Sequence, residues 1–210
     1  EKSKGLFPRI CESYIKRVIL HNNMEIIFVT TNPGKLGEAK EIGKEFDIDF
    51  TPNDYDAREL QSMDAVEIAE DSAKDAFEKI GKPLIVEDSG MFIDTLKGFP
   101  GPFSAYVYKT IGLDGLLKVM KNKANREASM KSVVTYTDGN TTKSFVGEVK
   151  GTMPAEQKGA EGFGYDPVFI PKGQEKTFGE DSKYKNKVSH RAQSLRQFCE
   201  WYKRNSYSFL

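Results

Sequence analysis

Glu25-Ile26-Ile27-Phe28-Val29-Thr30-Thr31-Asn32-Pro33-Gly34-Lys35-Leu36 is the stretch around which the chain is organised. The apolar run to Val29 precedes an amphipathic segment, so the stretch reads as strand, tight turn and helix. Asn32 suits the N-cap, and Pro33 suits the first helical position, where an amide proton would go unbonded anyway. A helix N-terminus gathers free N–H groups and the positive end of the helix dipole, which makes this turn a natural seat for phosphate. Lys35 adds a full charge. The same composition also suits an ordinary strand-to-helix connection, and the segment alone leaves both readings open. It is not a P-loop, which has glycine where Val29 stands and Ser or Thr where Leu36 stands.

Working outward, Leu36, Ala39, Ile42 and Gly43 recur at helical spacing to about Glu45. Phe46, Ile48 and Phe50 alternate with Asp47 and Asp49 as a short strand. Residues 51–62 are polar, carry Pro52 and Asn53, and read as a loop. Ala65, Ile68, Ala69, Ser72, Ala73, Ala76, Phe77 and Ile80 mark a strong amphipathic helix that starts at Asp64, with Glu67 three residues on, and stops at Gly81. Leu84-Ile85-Val86 is a short apolar strand, closed by Glu87-Asp88-Ser89-Gly90. A Gly/Pro-rich loop (96–104) and a helix over about 113–121 follow. A hairpin turns at Asp138-Gly139-Asn140. Then come a glycine-rich stretch (159–164), a strand at 168–170 and a charged loop (171–188). The final helix starts at Ser189, with Ala192, Leu195, Phe198, Cys199 and Tyr202 inward. This order predicts an α/β fold: a mixed, partly parallel central sheet flanked by helices, in two lobes with a cleft between them. In such sheets ligands bind beyond the C-terminal ends of strands, where the opening turn and Glu87-Asp88 both lie.

The chain has 210 residues, with 31 Lys plus Arg against 31 Asp plus Glu. A net charge of zero argues against a general nucleic-acid binder, whose affinity rests on excess positive charge. No apolar run approaches the roughly 20 residues a membrane span needs. Two cysteines, Cys11 and Cys199, lack metal-ligand spacing and fit a reduced, cytoplasmic protein. Residues 1–23 carry only a weak apolar set (Ile10, Tyr14, Val18, Ile19) and read as an N-terminal extension outside the core, with Met24 as the natural start. An amphipathic N-terminal helix is the other reading of that segment. Residues 24–210 read as one two-lobed domain.

Three groups carry candidate chemistry. The first is the turn with Lys35. The second is acidic: Glu59 in the loop, and Glu87 with Asp88 at a strand end. Carboxylates at separate loci suit a hard cation such as Mg²⁺, which takes oxygen ligands and bridges to substrate phosphates. Adjacent Glu87 and Asp88 should point to opposite faces if the strand continues, which leaves one principal actor, and Asp88 is favoured because it abuts Ser89-Gly90. Capping of a following turn is the competing role for both acids. The third group is Phe163, Tyr165, Asp166, Lys185, His190 and Arg191. With Ser189 as N-cap, His190 and Arg191 fall in the first turn of the last helix, where cations oppose the dipole. A local rule broken twice in a row hints at function, against the alternative of two solvated side chains. Phe163 between Gly162 and Gly164 could stack on a flat base or simply anchor its loop.

Five segments occur in order: Thr-Asn-Pro-Gly-Lys (31–35), Val-Glu-Asp-Ser-Gly (86–90), Phe-Pro-Gly-Pro-Phe-Ser-Ala (99–105), Gly-Phe-Gly-Tyr-Asp-Pro-Val-Phe (162–169) and Lys-Asn-Lys-Val-Ser-His-Arg (185–191). On these the chain, over about residues 24–203, resembles the Ham1-like inosine/xanthosine triphosphate pyrophosphatases. The resemblance implies Mg²⁺-dependent hydrolysis of noncanonical purine nucleoside triphosphates to the monophosphate and pyrophosphate by a homodimer. It implies that Thr30, Thr31, Asn32, Pro33, Gly34 and Lys35 hold the triphosphate and that Glu59 and Asp88 bind metal. Asp88 would also accept the proton, and Ser89 would contact substrate. Phe163, Gly164, Tyr165 and Asp166 would bind the base, while Lys185, His190 and Arg191 would read its edge. Lys74 is the candidate for a pyrophosphate-binding lysine, at a shifted spacing, and Tyr165 stands where relatives carry tryptophan. A Maf-like pyrophosphatase of different base specificity and a non-catalytic nucleotide-binding module are the competing readings.

Overall fold

The computed structural model describes residues 24–58 and 60–206, so the N-terminal extension and Glu59 lie outside the described residues. The strands are β1 (Met24–Val29), β2 (Ile48–Asn53), β3 (Leu84–Ile93), β4 (Glu127–Thr137), β5 (Thr142–Thr152) and β6 (Ile170–Pro171). The α-helices are α1 (Pro33–Phe46), α2 (Ala65–Ile80), α3 (Ser104–Thr110), α4 (Gly112–Val119), α5 (Ser182–Val188) and α6 (His190–Ser206). All six strands form one sheet in the order β2-β1-β3-β4-β5-β6. β1 lies parallel to both β2 and β3, and the remaining pairings are antiparallel. The mixed, partly parallel sheet expected from the sequence is therefore present.

Alternation along the strands divides the core. Ile26, Phe28 and Ile85 turn to one face, where they pack with Ile42 of α1 and Leu195 and Phe198 of α6. Val29, Leu84 and Val86 turn to the other, against Ala69, Ala73 and Ala76 of α2. The small alanines let α2 lie close to the sheet, as the period of that helix requires. A third cluster joins Met91, Ile93 and Met130 at the far end of the sheet to Leu113, Leu116, Phe169 and Phe178.

Several boundaries differ from the sequence expectation. α1 runs through Phe46, and Asp47 closes it with a left-handed backbone (φ 59°) whose N–H bonds the Gly43 carbonyl. β2 continues through Thr51, Pro52 and Asn53, pairing with every residue of β1 from Met24↔Ile48 to Val29↔Asn53. Pro52 is tolerated because β2 is an edge strand, where a missing N–H costs no ladder bond. β3 does not stop at Val86. Glu87-Asp88-Ser89-Gly90 is strand, paired with Val134, Val133, Ser132 and Lys131 of β4. Local turn chemistry is overridden here by long-range pairing. Gly90 fits because the chain folds back onto it: a Cβ would run into the Gly101 carbonyl oxygen. The region 96–104 contains two 3₁₀ turns and leads directly into α3. The strand expected at 168–170 is a 3₁₀ turn (Asp166–Val168) followed by the two-residue β6. α5 forms within the expected charged loop, capped by Asp181, whose side chain accepts from the Tyr184 amide at 2.9 Å.

Candidate active site

The turn after β1 is built as its composition predicts. Asn32 Oδ1 accepts from the amides of Gly34 (2.9 Å) and Lys35 (3.2 Å), while Thr30 Oγ1 accepts from the Asn32 amide (3.1 Å). The Leu36 amide bonds the Asn32 carbonyl, and Pro33 has no N–H. These amides are thus satisfied within the turn itself. It offers an anion the helix dipole, two threonine hydroxyls and Lys35 rather than a set of unbonded N–H groups.

Lys35 is committed as well. Its Nζ donates to the Glu87 carbonyl oxygen at 2.9 Å and lies 2.9 Å from Glu87 Oε2. Glu87 follows Ile85 in the alternation and points to the α1/α6 face, where its side chain is fully buried. There Oε1 accepts from Ser132 Oγ (2.6 Å) and lies 3.1 Å from Arg191 Nε. Burial pushes this carboxyl up, but Arg191, Lys35 and the Ser132 hydroxyl outweigh it and hold it far below the usual carboxylate range.

From Glu87 a chain of charges runs to the C-terminal cluster. Arg191 bonds Glu38 Oε2 (2.7 Å) and Ser89 Oγ (2.9 Å). Glu38 Oε1 takes Lys185 Nζ at 2.6 Å, and Lys185 also donates to Asp166 Oδ2 at 2.6 Å. Asp166 accepts from the Phe163 amide (2.7 Å). Burial raises the Asp166 carboxyl despite Lys185. The Phe163 ring covers this chain, with Lys185 Nζ 4.3 Å and Arg191 Cζ 5.2 Å from its centroid. The ring also rests on Gly34, where a Cβ would sit 2.6 Å from it.

His190 and Arg191 are not solvated side chains: each is 2% exposed. Ser189 caps α6 as expected, accepting from the Ala192 amide at 3.1 Å. Burial, and then the Arg191 charge, keep the His190 imidazole well below its usual pKa and therefore neutral, and among the described residues its Nδ1 has no hydrogen-bond partner.

Asp88 has the opposite orientation to Glu87. It follows Leu84 and Val86 toward α2, is half-buried, and its Oδ1 accepts from the Ser89 amide (2.8 Å). It lines a cleft of about 540 Å³ together with Thr30, Thr31, Asn32, Pro33 and Lys35. Tyr55, Asp56 and Ser72 line the α2 side, and Ala105 and Lys109 of α3 line it as well. The register Val29↔Val86 sets Asp88 just beyond the end of β1, level with the turn. This is the crevice that parallel strands leave at their carboxyl ends.

Several sequence-predicted residues do not line this cleft, Ser89 and Gly164 among them. Lys74 is exposed and does not line the cleft, whose α2 wall is Ile68, Ala69 and Ser72. Tyr165 is 7% exposed in the third core cluster and donates from its hydroxyl to the Ser104 carbonyl (2.7 Å), so its ring is not presented as an open aromatic face. The fold links the turn to Phe163, Asp166, Lys185 and Arg191 through Lys35, Glu87 and Glu38. Those C-terminal residues do not line the cleft itself.

Sequence reading missed Glu38, Ser132, Tyr55, Asp56 and Lys109. Glu38 stands three residues after Lys35, hence on the same helix face, which was the one available signal. The 54–58 loop is strapped to α2. Tyr55 Oη donates to Asp75 Oδ2 (3.0 Å), Arg58 forks onto Asp71 (2.9 and 3.2 Å), and Ser72 Oγ donates to the Arg58 carbonyl (3.0 Å). Among the described residues no group of three or more His, Cys, Asp or Glu forms a ready metal cage, and no helix is long and apolar enough to cross a membrane.

The model of the Ham1 family matches residues 26–201. A dITP/XTP pyrophosphatase of Methanopyrus kandleri is 48% identical over 184 residues, covering 87% of this chain and 98% of its own. One from Thermococcus kodakarensis is 43% identical over 183 residues, covering 87% and 99%. Among solved structures, a HAM1 protein from Coxiella burnetii superposes with TM-score 0.76 at 27% identity, covering 86% of this chain and 99% of its own. The Staphylococcus aureus Ham1 protein gives TM-score 0.75 at 27% identity and the same coverage.

Proposed function

The chain belongs to the Ham1 family, and on that premise we propose that it hydrolyses noncanonical purine nucleoside triphosphates (dITP, ITP and XTP) to the monophosphate and pyrophosphate. The observation that carries the reading is Asp88, a half-buried strand carboxylate that lines the cleft beside the Thr30–Lys35 turn; Glu87 borders the same cleft, but its side chain is fully buried against Lys35 and Arg191.

In this reading the triphosphate lies along the turn. Its negative charge meets the α1 dipole and the threonine hydroxyls, with Lys35 at the rim. Asp88 orients a water and takes its proton as the oxygen attacks the α-phosphorus. The bond from that phosphorus to the bridging α–β oxygen breaks, and pyrophosphate leaves with the electron pair. The donor set fits Mg²⁺: Asp88 and Asp56 bring carboxylate oxygen to the cleft, and a sparse carboxylate shell completed by water and phosphate is how that ion is usually held. Asp88 and Glu59 would hold it, and when bound it neutralises phosphate charge.

The base end needs one movement. Lys185 is 1% exposed and Arg191 2%, both beneath Phe163. A purine that uses them as donors to its 6-oxo group must lift Phe163 from Gly34 and stack on it. An adenine amino group would leave those donors unpaired, at a cost of about 1–3 kcal/mol each. The cleft-lining Asp88 and the intact charge chain favour catalysis over a binding module that has lost turnover.

The test is a substrate panel of dITP, ITP, XTP, ATP, GTP and pyrimidine triphosphates, with and without Mg²⁺, assaying pyrophosphate and orthophosphate separately. Pyrophosphate release confined to the deaminated purines and dependent on Mg²⁺ is expected. Orthophosphate release, or equal rates on ATP and ITP, would overturn the reading. Preference for modified pyrimidines would favour the Maf-like alternative.

A homodimer is part of the same proposal. Phe99, Phe103, Tyr106, Tyr108 and Ile111, each at least 40% exposed, cluster over 99–111 and supply apolar surface for a second copy. Tyr106→Glu is expected to convert a dimer of about 47 kDa, twice the 23.6 kDa chain, to monomer in light scattering. A variant that still elutes as a dimer would remove this surface from the interface.

A further inference from the structure

The cleft has a second cationic wall. Among the described residues that line it, two carry positive charge: Lys35 and Lys109. They differ in availability. Lys35 is held by the Glu87 carbonyl and carboxylate, both at 2.9 Å. Lys109 is exposed, and among the described residues no hydrogen bond, ion pair or ring contact engages its ammonium. It stands on α3, and Ala105, one helical turn earlier on the same face, lines the cleft with it.

The mounting of α3 is rigid at its start. Ser104 Oγ accepts from the Met91 amide at 2.9 Å and donates to the Gly101 carbonyl at 2.7 Å. Tyr165 Oη donates to the Ser104 carbonyl at 2.7 Å. The Gly90–Gly101 contact closes the same junction, which leaves no room for a side chain. Met91 is three residues beyond Asp88 on β3, so the catalytic strand and the Lys109 helix move as one piece.

Charge balance says what such a lysine meets. A nucleoside triphosphate carries about four negative charges at neutral pH, and pyrophosphate takes most of them when it leaves. The turn satisfies its own amides, and Lys35 is already half neutralised by Glu87. Asp88 and Asp56 add negative charge to the same cleft. Lys74 does not line it. The turn alone therefore cannot balance the leaving group, and a flexible, strongly hydrated ammonium supplied to the cleft by α3 suits a mobile pyrophosphate.

We propose that Lys109 is a substrate-binding residue that grips the β- and γ-phosphates and the departing pyrophosphate from the α3 side. The inference deepens the pyrophosphatase reading and rests on it for the identity of the nucleotide, but the anion contact can be measured without turnover. Lys109 is a surface residue with no partner among the described residues, so its substitution leaves the fold alone.

The experiment is calorimetric titration of inorganic pyrophosphate, with Mg²⁺, into the wild-type chain, Lys109→Ala and Lys109→Arg. Titration of IMP into the same three proteins and steady-state kinetics on dITP accompany it. Lys109→Ala is expected to weaken pyrophosphate binding about tenfold and to lower kcat/KM on dITP by a similar factor. Lys109→Arg should remain within about threefold of wild type, and IMP affinity should be unchanged in all three. Equal pyrophosphate affinity in wild type and Lys109→Ala overturns the proposal, as does an equal loss of IMP and pyrophosphate binding. If the wild type binds pyrophosphate through Lys109 yet turns over no purine triphosphate, the anion site stands and the reading of the reaction fails.

Discussion

Asp88→Asn is expected to lower kcat on dITP about 10³-fold while leaving the nucleotide dissociation constant within about threefold of wild type. The substitution preserves volume and keeps an oxygen at Oδ1 for the Ser89 amide, which now bonds it at 2.8 Å. Strand pairing at Asp88↔Val133 is a backbone property and is unaffected. What disappears is the negative charge and the ability to take a proton. Positioned general bases contribute about 10²–10⁴-fold, and the higher half of that range applies where the same carboxylate also holds the metal. The measurement is single-turnover release of pyrophosphate with the variant in excess, beside equilibrium binding of a non-hydrolysable dITP analogue. A rate within tenfold of wild type would remove Asp88 from the role of base. Loss of binding with an unchanged single-turnover rate at saturation would reassign it to holding substrate. Conversion to Glu tests position rather than charge. One extra methylene moves the carboxylate by more than 1 Å along a fixed strand, so that variant should stay at least about tenfold impaired.

Much of this arrangement is legible in the sequence, because it follows from local chemistry. The Asn32-Pro33 helix start, the Ser189 cap, the period of α2 and the hairpin between β4 and β5 all come from residues within a few positions of one another. The alternation argument for Glu87 and Asp88 also holds, since the two side chains do take opposite faces. The failures share a cause. Glu87-Asp88-Ser89-Gly90 has turn composition, yet a partner strand more than 40 residues away keeps it extended. Pro52 looked like a breaker, and edge position makes it harmless. At the site, sequence reading treated Lys185, His190 and Arg191 as donors open to a base. The Lys35-to-Glu38 spacing was its one sign of Glu38, and nothing local placed Glu38 against Lys185 and Arg191 or closed Phe163 over them. Broken local rules pointed correctly to a special place, and tertiary contacts alone define what it is.

The second large effect concerns Glu87, whose side chain is buried among Lys35, Arg191 and Ser132 at 2.9, 3.1 and 2.6 Å. Glu87→Gln keeps the shape and removes the charge. Two cations that shared a buried carboxylate then face each other with only Glu38 left for Arg191. Breaking a buried pair from one side costs about 3–5 kcal/mol because the remaining charge is uncompensated. For a chain of 210 residues that corresponds to a fall in Tm of roughly 10 °C. The pH dependence separates this from a packing defect. The Glu87 carboxyl sits far below its usual 4.5 in the folded protein. Its stabilisation is therefore full above about pH 4.5 and is lost progressively as pH falls from there toward the folded value. The wild-type Tm should drop steeply on acidification through that window, and Glu87→Gln should show a shallower fall, so that the two curves converge at low pH. A constant Tm difference at all pH values would mean that the charge is not what Glu87 contributes. Catalysis offers a further readout. The carboxylate holds Lys35 and, beneath Phe163, Arg191; under the proposed triphosphate role of Lys35, its loss should raise KM on dITP at pH 7 even at temperatures where the variant is fully folded. Unchanged KM in the folded variant would confine Glu87 to stability and leave the phosphate and base ends of the site energetically separate.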